Sequence, residues 1–145
     1  MTGDFASHSA EETEALGAAF AADLESRGIT RALIALGGEM GVGKTAFVRG
    51  FAAHFGIRGV KSPTYTIVNE HTAGRVTVCH FDMYRVACED DLWSIGFEDY
   101  LKREAYLLIE WSENVADLLP KNRFSVTISR TDDGDGRRIL IEENA

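Results

Sequence analysis

The chain is 145 residues long, with 15 Lys and Arg against 23 Asp and Glu, a net charge of −8, 45% hydrophobic residues and 26% charged ones. These values predict one globular domain, residues 1–145, with enough core to fold without disulfides, and they exclude disordered and collagen-like chains. A surface this acidic repels a polyphosphate backbone, so nucleic acid would reach the chain only through a partner.

No apolar run approaches the ~18 residues of a membrane span, and residues 1–10 lack a charged-then-apolar signal pattern, which predicts a cytoplasmic protein. Residues 7–27 read as a helix: Ser9 and Glu12 have capping-box spacing, Leu16, Phe20 and Leu24 recur at four-residue steps, and Gly28 can stop it. Residues 32–36 are a short apolar run, predicting a buried strand. Residues 37–43 are glycine-dense, and helical character resumes over 44–55. Residues 65–69 alternate as a strand, 72–74 predict a turn, and 75–81 predict a second alternating strand. A short helix is expected over 89–95, with Trp93 in the core, and an interior strand over 105–109. Residues 123–129 and 137–141 alternate around an Asp- and Gly-rich turn, predicting a terminal hairpin. The succession predicts an α/β layered domain. Cys79 and Cys88 lack C-x-x-C spacing, and Cys79 sits in an apolar run, which predicts a reduced core thiol.

Residues 38–45, GEMGVGKT, fit G-x-x-x-x-G-K-[ST] between an apolar strand and a helix. The glycines let successive backbone N–H groups turn inward as an anion nest, and the helix that follows presents its positive end. Gly38, Gly41, Val42, Gly43 and Ala46 would surround the phosphates. Lys44 would reach the β and γ phosphates, and the Thr45 hydroxyl could ligate Mg²⁺. No [NT]-K-x-D guanine-reading pattern occurs, which favours ATP over GTP.

Such a loop needs a carboxylate at the end of a neighbouring strand. Two acids qualify, Asp82 after residues 76–81 and Glu110 after 106–109. We assign Glu110 to the metal and Asp82 to metal-bound or attacking water, with the roles exchangeable, against the alternative of capping or turn carboxylates. Thr64, in the segment 62–66 beyond the loop's helix, is a candidate γ-phosphate sensor; an ordinary turn around Pro63 is equally compatible. His80 reads as structural rather than functional. Trp111 could report on the site, meet a partner or pack in the core. Asp133-Gly134-Asp135-Gly136 matches a D-x-x-G pattern in letters only and reads as a turn.

Taken together, residues 38–45, Phe47-Val48-Arg49-Gly50, residues 60–66, His80-Phe81-Asp82-Met83-Tyr84-Arg85 and residues 108–113 resemble the TsaE family, P-loop ATPases of bacterial tRNA threonylcarbamoyladenosine modification. The likeness runs from about Thr13 to Arg138. Departures are small: Glu39-Met40 where Asp-Leu is usual, Ala46 where a second Thr is common, and Ser112 where Pro often stands. The resemblance implies a three-layer P-loop NTPase fold with a central, mostly parallel sheet and a C-terminal hairpin. It implies ATP and Mg²⁺ as ligands and slow hydrolysis by the chain alone. Its partners would be TsaB and TsaD, whose threonylcarbamoyl transfer cycle it would support or reset, with tRNA touched only through them. By the same resemblance Thr45 and Glu110 hold Mg²⁺, Asp82 serves catalysis, residues 62–66 form the first switch, and Thr13 and Arg138 border the adenine. Two other readings share the loop: a small-molecule kinase, for which the scattered Arg75, Arg85, Arg103, Arg137 and Arg138 offer no evident clamp, and a nucleotide switch without turnover.

Overall fold

The computed structural model describes residues 1–39, 41–61, 67–84, 86, 89–132 and 134–144. Seven strands form one mixed sheet: β1 (Gly3–Ser7), β2 (Ala32–Gly37), β3 (Val68–Ala73), β4 (Val76–Asp82), β5 (Tyr106–Glu110), β6 (Arg123–Arg130) and β7 (Arg137–Asn144), in the order β1-β7-β6-β2-β5-β4-β3. The central β6, β2, β5 and β4 run parallel. The flanking ladders β1–β7, β7–β6 and β3–β4 are antiparallel. The expectation of a mostly parallel sheet therefore holds only for the central four strands. Short hairpin connections join β3 to β4 and β6 to β7, and such connections can only be antiparallel.

Apolar side chains alternate between two cores, one on each face of the sheet. Ile34 and Leu36 of β2, Leu108 of β5 and Ile139 and Ile141 of β7 pack beneath α1 (Ala10–Ser26) and α2 (Lys44–His54). Leu33, Ala35, Leu107 and Ile109 face α3 (Glu89–Ser94), α4 (Phe97–Lys102) and a 3₁₀ segment, Ser112–Leu118, kinked at Val115. The strands beneath both layers are buried on both sides, so β5 reads as an unbroken apolar run closed by Glu110.

Several boundaries differ from the sequence reading. The first helix begins at Ala10, with the Ser9 hydroxyl accepting from the Glu12 N–H at 3.1 Å; Ser7 instead ends β1, a strand the periodicity did not announce. The strand expected over 65–69 runs over Val68–Ala73, because Thr72 and Ala73 pair with Thr77 and Val76 while Gly74, at φ +60°, takes the turn. Residues 65 and 66 lie outside the described ones. Trp93, expected in the core, is 38% exposed. Cys79 is a buried free thiol as expected, and burial pushes its pKa up to about 11. No helix among the described residues is long and apolar enough to cross a membrane.

Helices α1 and α2 touch backbone to backbone. A Cβ added at Gly50 would lie 1.8 Å from the Glu14 carbonyl oxygen, and one at Gly17 would lie 2.2 Å from that of Phe47. Phe20 fills the space beside this contact, with ring centroids 6.1 Å from Phe47, 6.0 Å from Phe51 and 5.4 Å from Phe124. Ala at position 50 would gain about 1 kcal/mol of helix propensity. It would also force apart two backbones that no rotamer change can relieve, and overpacking of this kind costs about 1–3 kcal/mol or more. We therefore expect Gly50→Ala to lower stability by roughly 2 kcal/mol in urea unfolding; an unchanged or raised midpoint would contradict the close-contact account.

Candidate functional site

The register of the parallel strands gathers the candidate residues on one edge. Leu36 of β2 pairs with Glu110, and Glu110 pairs with Asp82, so all three strands end in one row at their carboxyl ends. The glycine-rich loop leaves β2 at this row and leads straight into α2. Gly38, Gly41 and Gly43 take φ of +129°, +78° and +117°. Gly38 also lies against β6, where an added Cβ would stand 2.2 Å from the Ile128 carbonyl oxygen.

Gly43 caps α2 without a side-chain hydrogen bond, and the first turn of the helix carries no acid. By contrast α1 has both the Ser9 cap and Glu11 and Glu12. A helix start normally leaves N–H groups seeking an acceptor, with partial positive charge behind them. At α2 that demand faces a cleft of about 300 Å³ lined by Gly41, Gly43, Lys44, Thr45, Ala46, Arg49 and Glu110.

Lys44 is only 4% exposed. Its ammonium donates to the Gly38 carbonyl at 2.8 Å and stands 4.1 Å from the centroid of the Trp111 ring. Trp111 is the one non-glycine residue with positive φ among the described residues, at φ 58° and ψ 38°. A left-handed backbone costs a bulky residue about 1 kcal/mol or more. Here it turns the chain sharply out of β5 and lays the indole beside the loop's lysine, with Tyr84 against it at 5.0 Å.

The two acids differ in their surroundings. Glu110 is buried, and its Oε2 accepts from the Thr45 hydroxyl at 3.4 Å and lies in hydrogen-bond contact with His80 Nε2. Asp82 stands beside it in the row, but its Oδ1 accepts from the Tyr84 N–H at 2.9 Å, closing a turn at the strand end. The structure thus joins Glu110 directly to Thr45 and gives Asp82 a turn-forming contact. Thr64 lies outside the described residues, as do its neighbours in the segment 62–66.

On the other side of the loop, His8, Ser9, Ala10, Thr13, Gly41, Val42, Gly43, Ala46, Asp135 and Arg137 line a second cleft of about 230 Å³. Thr13 lines this cleft; its hydroxyl hydrogen-bonds with Ser7 Oγ at 2.7 Å, and its methyl lies nearest to Gly43. Arg138 is not on this wall. Its Nε donates to Asp4 at 2.8 Å, and Arg137 takes the place beside Thr13. Strand alternation explains the exchange: Arg137 shares the face of Ile139 and Ile141, which pack under α1 and α2, while Arg138 points the other way. That parity was available in the sequence. Arg137 donates from Nε to the Val42 carbonyl at 3.1 Å and from a terminal nitrogen to that of Gly136 at 2.9 Å, binding the loop to the terminal hairpin. Arg49, one turn beyond Thr45, lines the first cleft and pairs with Glu14 at 3.1 Å.

A profile of the family described as "Threonylcarbamoyl adenosine biosynthesis protein TsaE" matches residues 7–139. The chain is 37% identical to the tRNA threonylcarbamoyladenosine biosynthesis protein TsaE of Haemophilus influenzae over 77% of this chain and 72% of that one. It is 36% identical to the same-named protein of Treponema pallidum over 91% of this chain and 93% of that one. Its fold is similar to the crystal structure of Bacillus subtilis YdiB, with a TM-score of 0.83 and 28% identity, covering all of this chain and 87% of the other.

The paired arginines give a sharp comparison. Arg137→Ala leaves the Val42 carbonyl without its charged donor and is expected to cost about 2 kcal/mol. Arg138→Ala removes an exposed ion pair worth at most about 1 kcal/mol. Faster amide exchange at residues 41–43 should accompany only Arg137→Ala, and equal losses in both variants would contradict this placement.

Proposed function

Because the chain belongs to the TsaE family of tRNA threonylcarbamoyladenosine biosynthesis, we propose that it binds ATP with Mg²⁺ at the carboxyl edge of β2 and hydrolyses it. On this reading the fold is that of a P-loop NTPase. Hydrolysis is slow in the chain alone and faster with TsaB and TsaD, and the chemistry on tRNA belongs to TsaD. The observation that carries the reading is the amino end of α2: capped by Gly43 with no side-chain hydrogen bond, free of acids in its first turn, with Lys44 beside it and Thr45 3.4 Å from Glu110.

The residues present suit a magnesium–nucleotide complex. Mg²⁺ is usually held by one or two protein oxygens together with phosphate oxygens and water. The Thr45 hydroxyl and the Glu110 carboxylate supply such a pair, and no cluster of three His, Cys, Asp or Glu among the described residues offers a self-sufficient metal cage. Bound there, the ion would spread the negative charge of the terminal phosphates. The backbone N–H groups of Gly41, Gly43 and the start of α2 would donate to the phosphate oxygens. The Lys44 ammonium would leave the Gly38 carbonyl and the Trp111 ring for the β and γ phosphates. Glu110 would hold the ion, with Asp82 ordering the attacking water at the next strand end. The ribose and base would fall toward the cleft of His8, Thr13, Asp135 and Arg137. The net charge of −8 suits a chain that meets a protein assembly rather than the tRNA itself.

Phosphate release with and without purified TsaB and TsaD tests the reading. Lys44→Ala should weaken nucleotide binding roughly thirtyfold, from about 2 kcal/mol for a charge-assisted contact. Glu110→Gln and Asp82→Ala should lower turnover about tenfold or more with a smaller effect on binding. Normal turnover in both acid variants would refute the assignment, and stoichiometric phosphorylation of a metabolite would favour the kinase reading. Withdrawal of Lys44 from the indole should also change Trp111 emission on nucleotide binding, measured in a Trp93→Phe background. Well-folded protein that gives neither heat nor an emission change with any adenine nucleotide would overturn the proposal.

A further inference from the structure

His80 is fully buried in β4, in a position that a core residue could fill without a polar atom. Its strand neighbours Cys79 and Phe81 face the α3 and α4 core, while His80 shares the other face with Val78, beneath α1 and α2. In the β4–β5 ladder His80 pairs with Leu108, one step of the same face before the Asp82–Glu110 pair. From there its Nε2 meets Glu110 Oε2, the same oxygen that accepts from the Thr45 hydroxyl. The ring's other nitrogen, Nδ1, is buried without a hydrogen-bond partner among the described residues. That asymmetry selects a tautomer. With the proton on Nε2 the ring donates to the carboxylate and leaves only a bare acceptor unsatisfied, whereas a proton on Nδ1 would strand a donor and set a lone pair against the carboxylate.

A carboxylate in so enclosed a place is costly unless donors hold it. Here one donor comes from the sheet and the other from α2, and they meet on a single oxygen. We propose that His80 is a positioning residue: through Nε2–H it fixes the Glu110 carboxylate against Thr45, so that the pair is already in place for the metal of the nucleotide complex. The inference rests on the ATP and Mg²⁺ reading of the site and adds to it the group that orients the acidic ligand from behind. Outer partners of this kind typically change metal affinity or activity about 10–100-fold when removed.

The experiment uses the full chain in three forms: wild type, His80→Leu, which keeps a similar bulk without a donor, and His80→Gln, whose side-chain amide restores an N–H near the position of Nε2. Calorimetry with ADP should give affinities within about twofold of one another in the absence of Mg²⁺, since the backbone nest is untouched. The Mg²⁺ concentration at half-saturation should rise about tenfold or more in His80→Leu and return most of the way in His80→Gln. Turnover should follow the same order, through kcat more than KM. A two-bond ¹H–¹⁵N correlation spectrum of the wild type should show His80 protonated at Nε2. An Nδ1–H tautomer, or a His80→Leu variant with unchanged Mg²⁺ dependence, overturns the role. A wild type that binds no nucleotide at all fails before the variants are compared, and then the reading of the site falls with this inference.

Discussion

The amino end of α2 is the constraint that the surrounding structure serves. A helix start capped by glycine forgoes only about 0.3 kcal/mol relative to one with Ser, Asp or Asn in the capping position. Ser9 makes that contribution to α1, yet Gly43 does not make it to α2. Instead Gly38, Gly41 and Gly43 take positive φ, Arg137 ties the Val42 carbonyl to the terminal hairpin, and Lys44 lies against Gly38 and Trp111. Each of these contacts lies beside the start of α2 at the edge of the cleft.

Charge is distributed to the same end. The chain as a whole is strongly acidic, but Lys44, Arg49 and Arg137 line the two clefts flanking the loop. The acids at this edge are held rather than loose: Glu110 by His80 and Thr45, Asp82 by the Tyr84 N–H. The site can therefore attract an anion locally while the remaining surface stays unfavourable to a polyanion.

The elements around the loop were legible because there the local pattern and the tertiary environment agree. β2 and β5 are buried on both faces and read as apolar runs; the capping box of α1 and the glycines before α2 mark their helices directly. Asp82 and Glu110 could be placed on one edge only conditionally, since no sequence pattern states that β4 and β5 run parallel to β2. β1 escaped notice because five residues with a single partly buried aromatic, Phe5, make a strand only when β7 offers an edge to pair with. Arg137 was passed over in favour of its neighbour although strand parity distinguishes them. The contact of His80 Nε2 with one oxygen of Glu110 depends on the β4–β5 register, which no local pattern states. Nothing in local spacing predicts Trp111's left-handed backbone, which is imposed by the exit from β5.

The meeting of α1 and α2 at Gly17 and Gly50 has a mechanical meaning. Two backbones in direct apposition cannot slip along one another without steric collision, so the pair behaves as a single stiff body. Residues at the starts of both members, Ala10 of α1 and Ala46 of α2, line both clefts beside the loop. Both clefts are therefore walled in part by a helix pair whose backbones touch, with no side chain between them at Gly17 and Gly50.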